Sequence, residues 1–234
     1  VMEKSKIDPK KIAAIGISGQ QLGCAPMTKD GELLTDTSII WYDSRATEQA
    51  ARFLKSVCED TWYQLTGGGL RPENYAGPKI AWIKENQPDI YKKTDVFIGT
   101  KDYLNYRMTG EIFAEYAEAT GSAIMDIHKW AYSQELADAC GIDLEKLAPL
   151  RKSIDVVGKV TKVAAEELSL VEGIPVVAGS GDVSATAAGS GAVDEGRIYN
   201  YIGTSSWIAV SASKPMLLND IKPYIFCHCV PDQY

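Results

Sequence analysis

The stretch AGSGD ends an apolar run in glycines and then presents a single carboxylate, Asp182. In open α/β sheets ligands bind where strands end, and glycines let a ligand or another backbone approach closely. The segment VSATAAGSGAV then reads as a helix of small residues, whose N-terminus is expected to stabilise the ionised carboxylate. Asp182 therefore has the chemistry of a general base at neutral pH, and the simpler alternative is that it only caps this helix.

A second stretch, GTSSW, lies between two strand-like runs further along the chain. Gly203, Thr204 and Ser205 offer backbone N–H groups and hydroxyls, which are typical of a phosphate cradle. Hairpin turns use the same residue types, so a plain turn is the alternative. The sequence has neither a P-loop nor a strand–G-x-G-x-x-G–helix fingerprint, so a nucleotide would bind on another scaffold.

Two further stretches place polar residues after predicted strands. SGQQLG brings Gln21 and Leu22 directly after the buried run KIAAIGISG. WYDSRA brings Trp41, Asp43 and Arg45 to the end of the run TSIIWYD, where they could bind a polyol or form a simple surface ion pair. The convergence of polar side chains at several strand ends is the strongest physical indication of a ligand site.

The elements that must position these residues alternate between short apolar runs and amphipathic patterns. Strands are predicted for KIAAIGISG, TSIIWYD, DVFI, IPVVAGSGD and the two runs around GTSS, and helices for ATEQAARFLKSV, PKIAWIKENQP, TKDYLNYRMTG, SQELADACG and VTKVAAEELSLVEG. Ser133 and Thr161 are predicted helix starts, and Gly110, Gly141 and Gly173 predicted ends. This alternation predicts an α/β fold, with a mixed sheet and flanking helices. The stretch TGGGLRPENYAGP, residues 66–78, is equally typical of a long functional loop and of a plain linker.

Composition excludes several classes of protein. The net charge is −7 and the sequence has no basic run, which argues against a nucleic-acid partner. No apolar run approaches the roughly 18 residues of a membrane span. Five cysteines, an odd number, predict small buried hydrophobes in a reducing compartment, so a cytoplasmic location is expected. The string CHC, residues 227–229, is a weak metal motif because the other histidine, His128, stands far away in sequence.

Taken in chain order, these stretches resemble the FGGY carbohydrate kinases, and most of all their xylulokinase-like members. The resemblance rests on IAAIGISGQQLG, IIWYDSRA, PKIAWIKENQP, KDYLNYRMTGE, VVGKVTKVAAEELSLVEGIPVVAGSGD and YIGTSSW. It implies a ribonuclease H-like (actin-like ATPase) domain. It also implies that residues 1–185 are the sugar-binding N-terminal domain without its first strands, and that residues 186–234 are the opening strands of the ATP-binding domain. An N-terminal fragment of a longer enzyme, inactive by itself, is therefore expected.

The resemblance also assigns roles to residues at matching positions. Asp182 matches the catalytic base, and Gly203, Thr204 and Ser205 match the turn that holds the nucleotide phosphates. Sugar contacts are implied for Gln21, Leu22, Trp41, Asp43, Arg45 and Val183. ATP and Mg²⁺ are the implied cofactors, and no metal ligand is expected in this chain because the family's magnesium-binding strand pair should precede Val1.

Two departures concern sugar selectivity. Xylulokinases usually have Met-His where this chain has Gln21 and Leu22, and Asn where it has Val183. Such changes alter hydrogen bonding to the sugar, and a site built around one hydroxyl pattern discriminates strongly. The resemblance as a whole still implies ATP-dependent phosphorylation of a sugar or polyol hydroxyl, above all of a pentulose such as xylulose. The alternatives are a ribulose, gluconate, erythritol or glycerol type of substrate, or a non-catalytic ligand-binding domain; a homodimer also stays open.

Overall fold

The computed structural model describes residues 2–203 and 206–234 and has the mixed α/β architecture that the sequence predicts. The helices are α1 (Met2–Ser5), α2 (Thr47–Val57), α3 (Glu59–Thr66), α4 (Ala76–Asn86), α5 (Pro88–Lys93), α6 (Thr100–Thr109), α7 (Tyr116–Thr120), α8 (Gln134–Cys140), α9 (Lys162–Leu168) and α10 (Asp182–Gly189). The strands are β1 (Ile15–Gly19), β2 (Ala25–Met27), β3 (Val96–Ile98), β4 (Ala114–Glu115), β5 (Met125–Asp126), β6 (Ala131–Tyr132), β7 (Leu150–Arg151), β8 (Val156–Lys159), β9 (Pro175–Gly181), β10 (Ile198–Ile202) and β11 (Ser206–Val210).

The central sheet has the order β1–β9–β8. β1 runs parallel to β9, whereas β8 runs antiparallel to it, so the prediction of a mixed sheet is confirmed. Smaller two-stranded sheets pair β2 with β3, β4 with β7, β5 with β6 and β10 with β11. The helices α6 and α9 pack against the central sheet through an apolar cluster that includes Met108, Ala164 and Val176.

Most predicted helix boundaries are confirmed, because local capping chemistry sets them. The side chains of Ser133 and Thr161 accept backbone N–H groups at the starts of α8 and α9. Gly110 and Gly141 end α6 and α8 in the left-handed conformation. α9 ends earlier than predicted, since Ser169 already has a φ of 57°.

The strand predicted over residues 37–43 is wrong. Ile39 makes an isolated bridge with Cys24, and residues 41 and 42 form a turn. The apolar run favours a strand, but the buried ammonium of Lys79 takes the carbonyl of Ile40 at 2.7 Å. A side chain thus binds a backbone group that a neighbouring strand would need, and WYDSRA begins in a turn instead of at the end of a strand.

The segment 66–78 is neither an open loop nor a linker. α3 extends to Thr66, a 3-10 turn covers Pro72–Asn74, and α4 begins at Ala76. A Cβ on Gly69 would lie 2.5 Å from the carbonyl oxygen of Lys222, which shows how closely this segment packs against residues 222–224. Absence of a side chain there is a packing requirement.

The largest apolar cluster fills the space between α2, α3, α4 and α8. Its centre is an edge-to-face series of rings in which Phe53, Trp62 and Tyr75 have centroid separations of 6.2 and 5.3 Å. This body supports the loops that follow β1 and that precede α2. Within residues 2–203 and 206–234, no helix combines the length and the apolar character that crossing a bilayer requires.

The cysteines are free thiols. Cys24, Cys140 and Cys227 are buried, as the sequence predicts, whereas Cys58 is exposed. Burial raises the pKa of the Cys24 and Cys140 thiols to about 12. In the string CHC, the Nδ1 atom of His228 accepts a backbone N–H at 2.9 Å and its Nε2 atom lies 3.2 Å from a carbonyl oxygen, so both ring nitrogens are already bonded.

Candidate active site

The ends of β1 and β9 lie side by side, because Gly19 is paired with Gly181 in the parallel register. A Cβ on Gly179, which has a φ of +70°, would lie 2.0 Å from the carbonyl oxygen of Ile17, so only glycine permits this approach of the two strands. The segments that follow the two strands therefore leave the sheet at one edge. Convergence of these two strand ends is confirmed.

Asp182 is the first residue of α10, and Gly181 occupies the cap position before it. Its Oδ1 atom accepts the N–H of Val183 at 3.0 Å, while the side chain remains exposed at the sheet edge. Asp182 is therefore not the N-cap residue that the simpler alternative required. Protein packed on one side of the carboxyl raises its pKa, and this outweighs the backbone N–H groups that lower it. The N–H groups at the helix N-terminus favour the ionised form, as expected, but burial outweighs them, and the raised pKa makes the ionised carboxylate a stronger base.

The side chain of Gln21 packs over Gly181, the residue directly before Asp182. A Cβ on Gly181 would be only 2.1 Å from the Cδ atom of Gln21, so the amide side chain covers that glycine. The Gln21 Nε2 atom donates to the carbonyl of Ala117, whereas its buried Oε1 atom has no partner among the described residues. The structure thus brings Gln21 and Asp182 together and leaves an amide oxygen free to accept a hydrogen bond.

Leu22 is held by a residue that the sequence analysis missed. It adopts a φ of 66°, and its carbonyl accepts the Lys79 ammonium at 3.1 Å. The same ammonium donates to the carbonyls of Ile40 and Asn74, and the Lys79 side chain is fully buried. Burial lowers the pKa of Lys79 to about 8. Lys79 joins three separate loops through backbone carbonyls, and a lysine inside the apolar run PKIAW gives no sign of this.

Asp43 and Arg45 bind each other. The Nη2 atom of Arg45 lies 2.7 Å from a carboxylate oxygen of Asp43, and this bonding lowers the pKa of that carboxyl. The guanidinium also lies 4.9 Å from the ring centre of Trp82. Trp41 is half-exposed in the preceding turn. The geometry of the pair is that of the surface ion pair considered above, and the sugar role of Trp41, Asp43 and Arg45 stays a prediction.

The predicted phosphate turn, residues 203–205, lies in the sequence between β10 and β11. The two strands pair from Ile198 with Val210 to Ile202 with Ser206, which confirms the predicted hairpin. Gly203 is exposed at its end, and Thr204 and Ser205 lie outside the described residues. Val183, the remaining predicted sugar contact, is partly buried in the first turn of α10.

A buried acidic cluster behind the sheet edge was also missed. Glu115, Glu118, Asp102 and Lys101 are almost fully buried, and Lys101 forms an ion pair with Asp102. The hydroxyl of Ser153 donates to Glu115 at 2.5 Å. Burial raises the pKa of Glu118 well above its usual value, and the charges of neighbouring carboxylates, including Asp182, add to that effect. Its members come from two separate segments, α6 and β4–α7, and Ser153 joins them from a third, so the sequence does not show that they meet.

Comparison with known proteins agrees with this arrangement. Residues 1–189 match the model of the N-terminal domain of the FGGY family of carbohydrate kinases. A xylulose kinase of Bacillus subtilis (strain 168) is 34% identical over 204 residues, covering 87% of this chain and 40% of that protein. The crystal structure of xylulose kinase from Rhodospirillum rubrum has a TM-score of 0.88 at 24% identity, covering 95% of this chain and 45% of that one. The crystal structure of gluconate kinase from Lactobacillus acidophilus has a TM-score of 0.79 at 26% identity, covering 90% of this chain and 42% of that one.

The fold and the sheet edge define a class first: a ribonuclease H-like α/β domain of the actin-like ATPase type. The match over residues 1–189 then narrows the class, and the chain belongs to the FGGY family of carbohydrate kinases. It spans less than half the length of each of the three relatives.

Proposed function

We propose that the complete protein containing this chain transfers the γ-phosphoryl group of ATP to a hydroxyl of a sugar or polyol, with a pentulose such as xylulose as the first substrate to test. The observation that carries this proposal is the shared end of β1 and β9. There an exposed carboxylate with a raised pKa follows a glycine that is covered by the amide of Gln21, whose buried oxygen has no partner among the described residues. Membership of the family supports the reaction class.

In the proposed reaction, Asp182 accepts the proton of the attacking hydroxyl while the phosphoryl group arrives from the opposite side. Gln21, Leu22 and Val183 orient the sugar, and Trp41 with the Asp43–Arg45 pair borders the pocket. Residues 203–205 hold the phosphate oxygens. Most of the rate acceleration comes from positioning and from stabilisation of charge.

Magnesium would be held mainly by the nucleotide. Mg²⁺ is usually held by one or two carboxylates together with substrate phosphates and several waters, rather than by a cage of protein ligands. Asp182 is the proposed base, so its carboxylate is left to accept the proton, and the described residues contain no group of three His, Cys, Asp or Glu side chains that could hold a metal alone. A metal ion that arrives with the nucleotide would neutralise charge on its phosphate oxygens.

We further propose that residues 1–185 form the sugar-binding domain and that residues 186–234 begin the ATP-binding domain. Support comes from the β10–β11 sheet and from a separate apolar cluster around Ala187, Ala192 and Tyr199. A second substrate class is favoured by the similarity to a gluconate kinase. The exchange of the usual Met-His for Gln21 and Leu22 makes a different hydroxyl pattern the point to test.

The test is release of ADP by the complete protein with a panel of pentuloses, pentitols, gluconate and glycerol. Asp182→Asn should reduce turnover by about 10³-fold or more while leaving sugar binding nearly unchanged, because the amide cannot accept the proton. Asp89→Asn is the matched control, since Asp89 is also an exposed carboxylate in the first turn of a helix. Normal turnover in Asp182→Asn would refute the base assignment. Heat of sugar binding without ADP release from any substrate would instead identify a ligand-binding domain.

A further inference from the structure

A chain of hydrogen bonds connects the β10–β11 hairpin to the first turn of α10. The Trp207 Nε1–H group donates to the Tyr199 hydroxyl at 2.8 Å. That hydroxyl donates to the carbonyl oxygen of Val183 at 2.7 Å. Tyr199 lies on β10 before Gly203, and Trp207 lies on β11 after it, so the two side chains flank the proposed phosphate turn.

The polarity of this chain is fixed by chemistry. An indole N–H can only donate and a backbone carbonyl can only accept, so the tyrosine hydroxyl must accept from Trp207 and donate to Val183. Bonds arranged in one direction polarise and strengthen one another. Rotation of the hydroxyl away from either partner would leave a largely buried polar group unpaired, because only 8% of Tyr199 is exposed.

The acceptor of the chain lies next to the proposed base. The N–H of Val183 donates to the carboxylate of Asp182, so Tyr199 and Asp182 bind the two backbone polar groups of the same residue. Ser184, the next residue, is bonded to the carbonyl of Cys227 at 3.0 Å. The first turn of α10 is therefore held by Tyr199 of the hairpin and by the carbonyl of Cys227.

We propose that Tyr199 is a positioning residue, which couples the proposed phosphate turn to Asp182 through the carbonyl of Val183, with Trp207 orienting its hydroxyl. This inference rests on the proposed function, because Asp182 and residues 203–205 take their roles from it. Nucleotide bound at the hairpin would then hold the Asp182 carboxylate in place. Loss of the Tyr199 hydroxyl would uncouple the hairpin from Asp182.

Phenylalanine substitutions separate this role from simple packing. The ring of Tyr199 packs with Ala187 and Ala192, and Tyr199→Phe retains that contact while it removes the hydroxyl. The protein contains a second series of Trp, Tyr and carbonyl hydrogen bonds elsewhere, which serves as a matched control. Trp130 Nε1 donates to the Tyr234 hydroxyl at 2.8 Å, and this hydroxyl donates to a different carbonyl, that of Ile127, at 2.9 Å.

The first experiment compares steady-state kinetics of the complete protein and its Phe variants. Tyr199→Phe should lower kcat about tenfold, the effect of one net hydrogen bond, and leave the sugar KM within about twofold. Trp207→Phe should lower kcat less, and the double variant should be no worse than Tyr199→Phe, since both act through one chain. Trp130→Phe and Tyr234→Phe should keep the parental kcat. An unchanged kcat in Tyr199→Phe, or equal losses in the control pair, would overturn the proposal.

The second experiment does not depend on turnover. MgADP should slow amide hydrogen exchange over residues 182–190 in the parent protein and in Tyr234→Phe, and it should do so much less in Tyr199→Phe. Equal slowing in Tyr199→Phe, or no slowing in the parent, would disprove the coupling. If no sugar supports ADP release but the exchange pattern is as expected, the proposed reaction fails while the coupling stands.

Discussion

The two sides of the candidate site are built differently. On the proposed sugar side, Gln21 and Leu22 are 3% and 6% exposed, and Lys79 ties the loops beneath them together. On the proposed nucleotide side, the aliphatic side chains of Ile198, Ile202 and Ile208 are largely exposed along the hairpin. The proposed sugar side is thus held in place by a large core, whereas the hairpin contacts α10 through one small apolar cluster and a short series of hydrogen bonds. Substitutions on the sugar side should therefore affect stability most, and those on the hairpin should affect coupling.

Removal of the Lys79 side chain should give the largest loss of stability. Lys79→Ala leaves a cavity and three unpaired carbonyls, and it should lower the free energy of unfolding by about 3–5 kcal/mol. Equilibrium urea unfolding measures this loss. Lys84→Ala is the control from the same helix, because Lys84 bonds a carbonyl and Asp143 from a more exposed position. Similar losses of stability for both variants would show that the three carbonyl contacts of Lys79 have no special importance.

The pH dependence of the free energy of unfolding should show the titration of Lys79. Its pKa falls from 10.5 in the unfolded chain to about 8 in the fold, so the unfolded state holds more protons between these values. The contribution of Lys79 to stability must then rise as pH increases from about 8 to 10.5, by up to about 3 kcal/mol. Lys79→Met, which cannot titrate, should lack this rise when the two proteins are unfolded in urea across that range. Parallel curves for both proteins would contradict the assignment.

Neutralising one member of the acidic cluster should have a smaller effect, and a stabilising one. Glu118 has a raised pKa in the fold, so the parent loses stability as pH rises above the value in the unfolded chain, about 4.5. Glu118→Gln should therefore be more stable than the parent at pH 7, and the two proteins should be nearly equal in stability below pH 4. Thermal unfolding at both pH values measures the gain, with the exposed Glu111→Gln as the control. Destabilisation by Glu118→Gln at pH 7 would mean that the fold favours the charged form of Glu118.

The smallest effect is expected on the outer face of the hairpin. Ile202 is 80% exposed, so Ile202→Thr should change the free energy of unfolding by less than about 0.5 kcal/mol. Ile80→Thr, at a position that is 1% exposed, should cost several times more because it buries a hydroxyl in the core. Urea unfolding of the two variants side by side tests the contrast. Equal losses would show that the hairpin face is packed as tightly as the core.

Much of the fold could be predicted from the sequence, because the signals concerned are local. The strand that ends at Gly181, the cap at Ser133 and the helix ends at Gly110 and Gly141 all depend on neighbouring residues. The strand over residues 37–43 was wrong because a distant ammonium, that of Lys79, binds its backbone. Local patterns do not reveal such partners.

The site shows the same limit. Polar residues after β1 and β9 were found because a strand end is visible in sequence, and the parallel register then brought Gln21 to Gly181. The acidic cluster was missed because its members meet only in the folded chain. The net direction of the Asp182 pKa is not visible in the sequence for the same reason, since burial outweighs the local helix terminus.

The ring of Trp207 lies against that of Tyr201, with centroids 4.0 Å apart and planes inclined by 15°. An indole stacked in this way on the strand that follows Gly203 has a fluorescence that depends on the stack and on its bonded N–H group. The emission of this residue, isolated as the difference between the parent and Trp207→Phe, therefore provides a built-in optical signal. Titration with nucleotide would then give binding curves and stopped-flow rates without any attached dye.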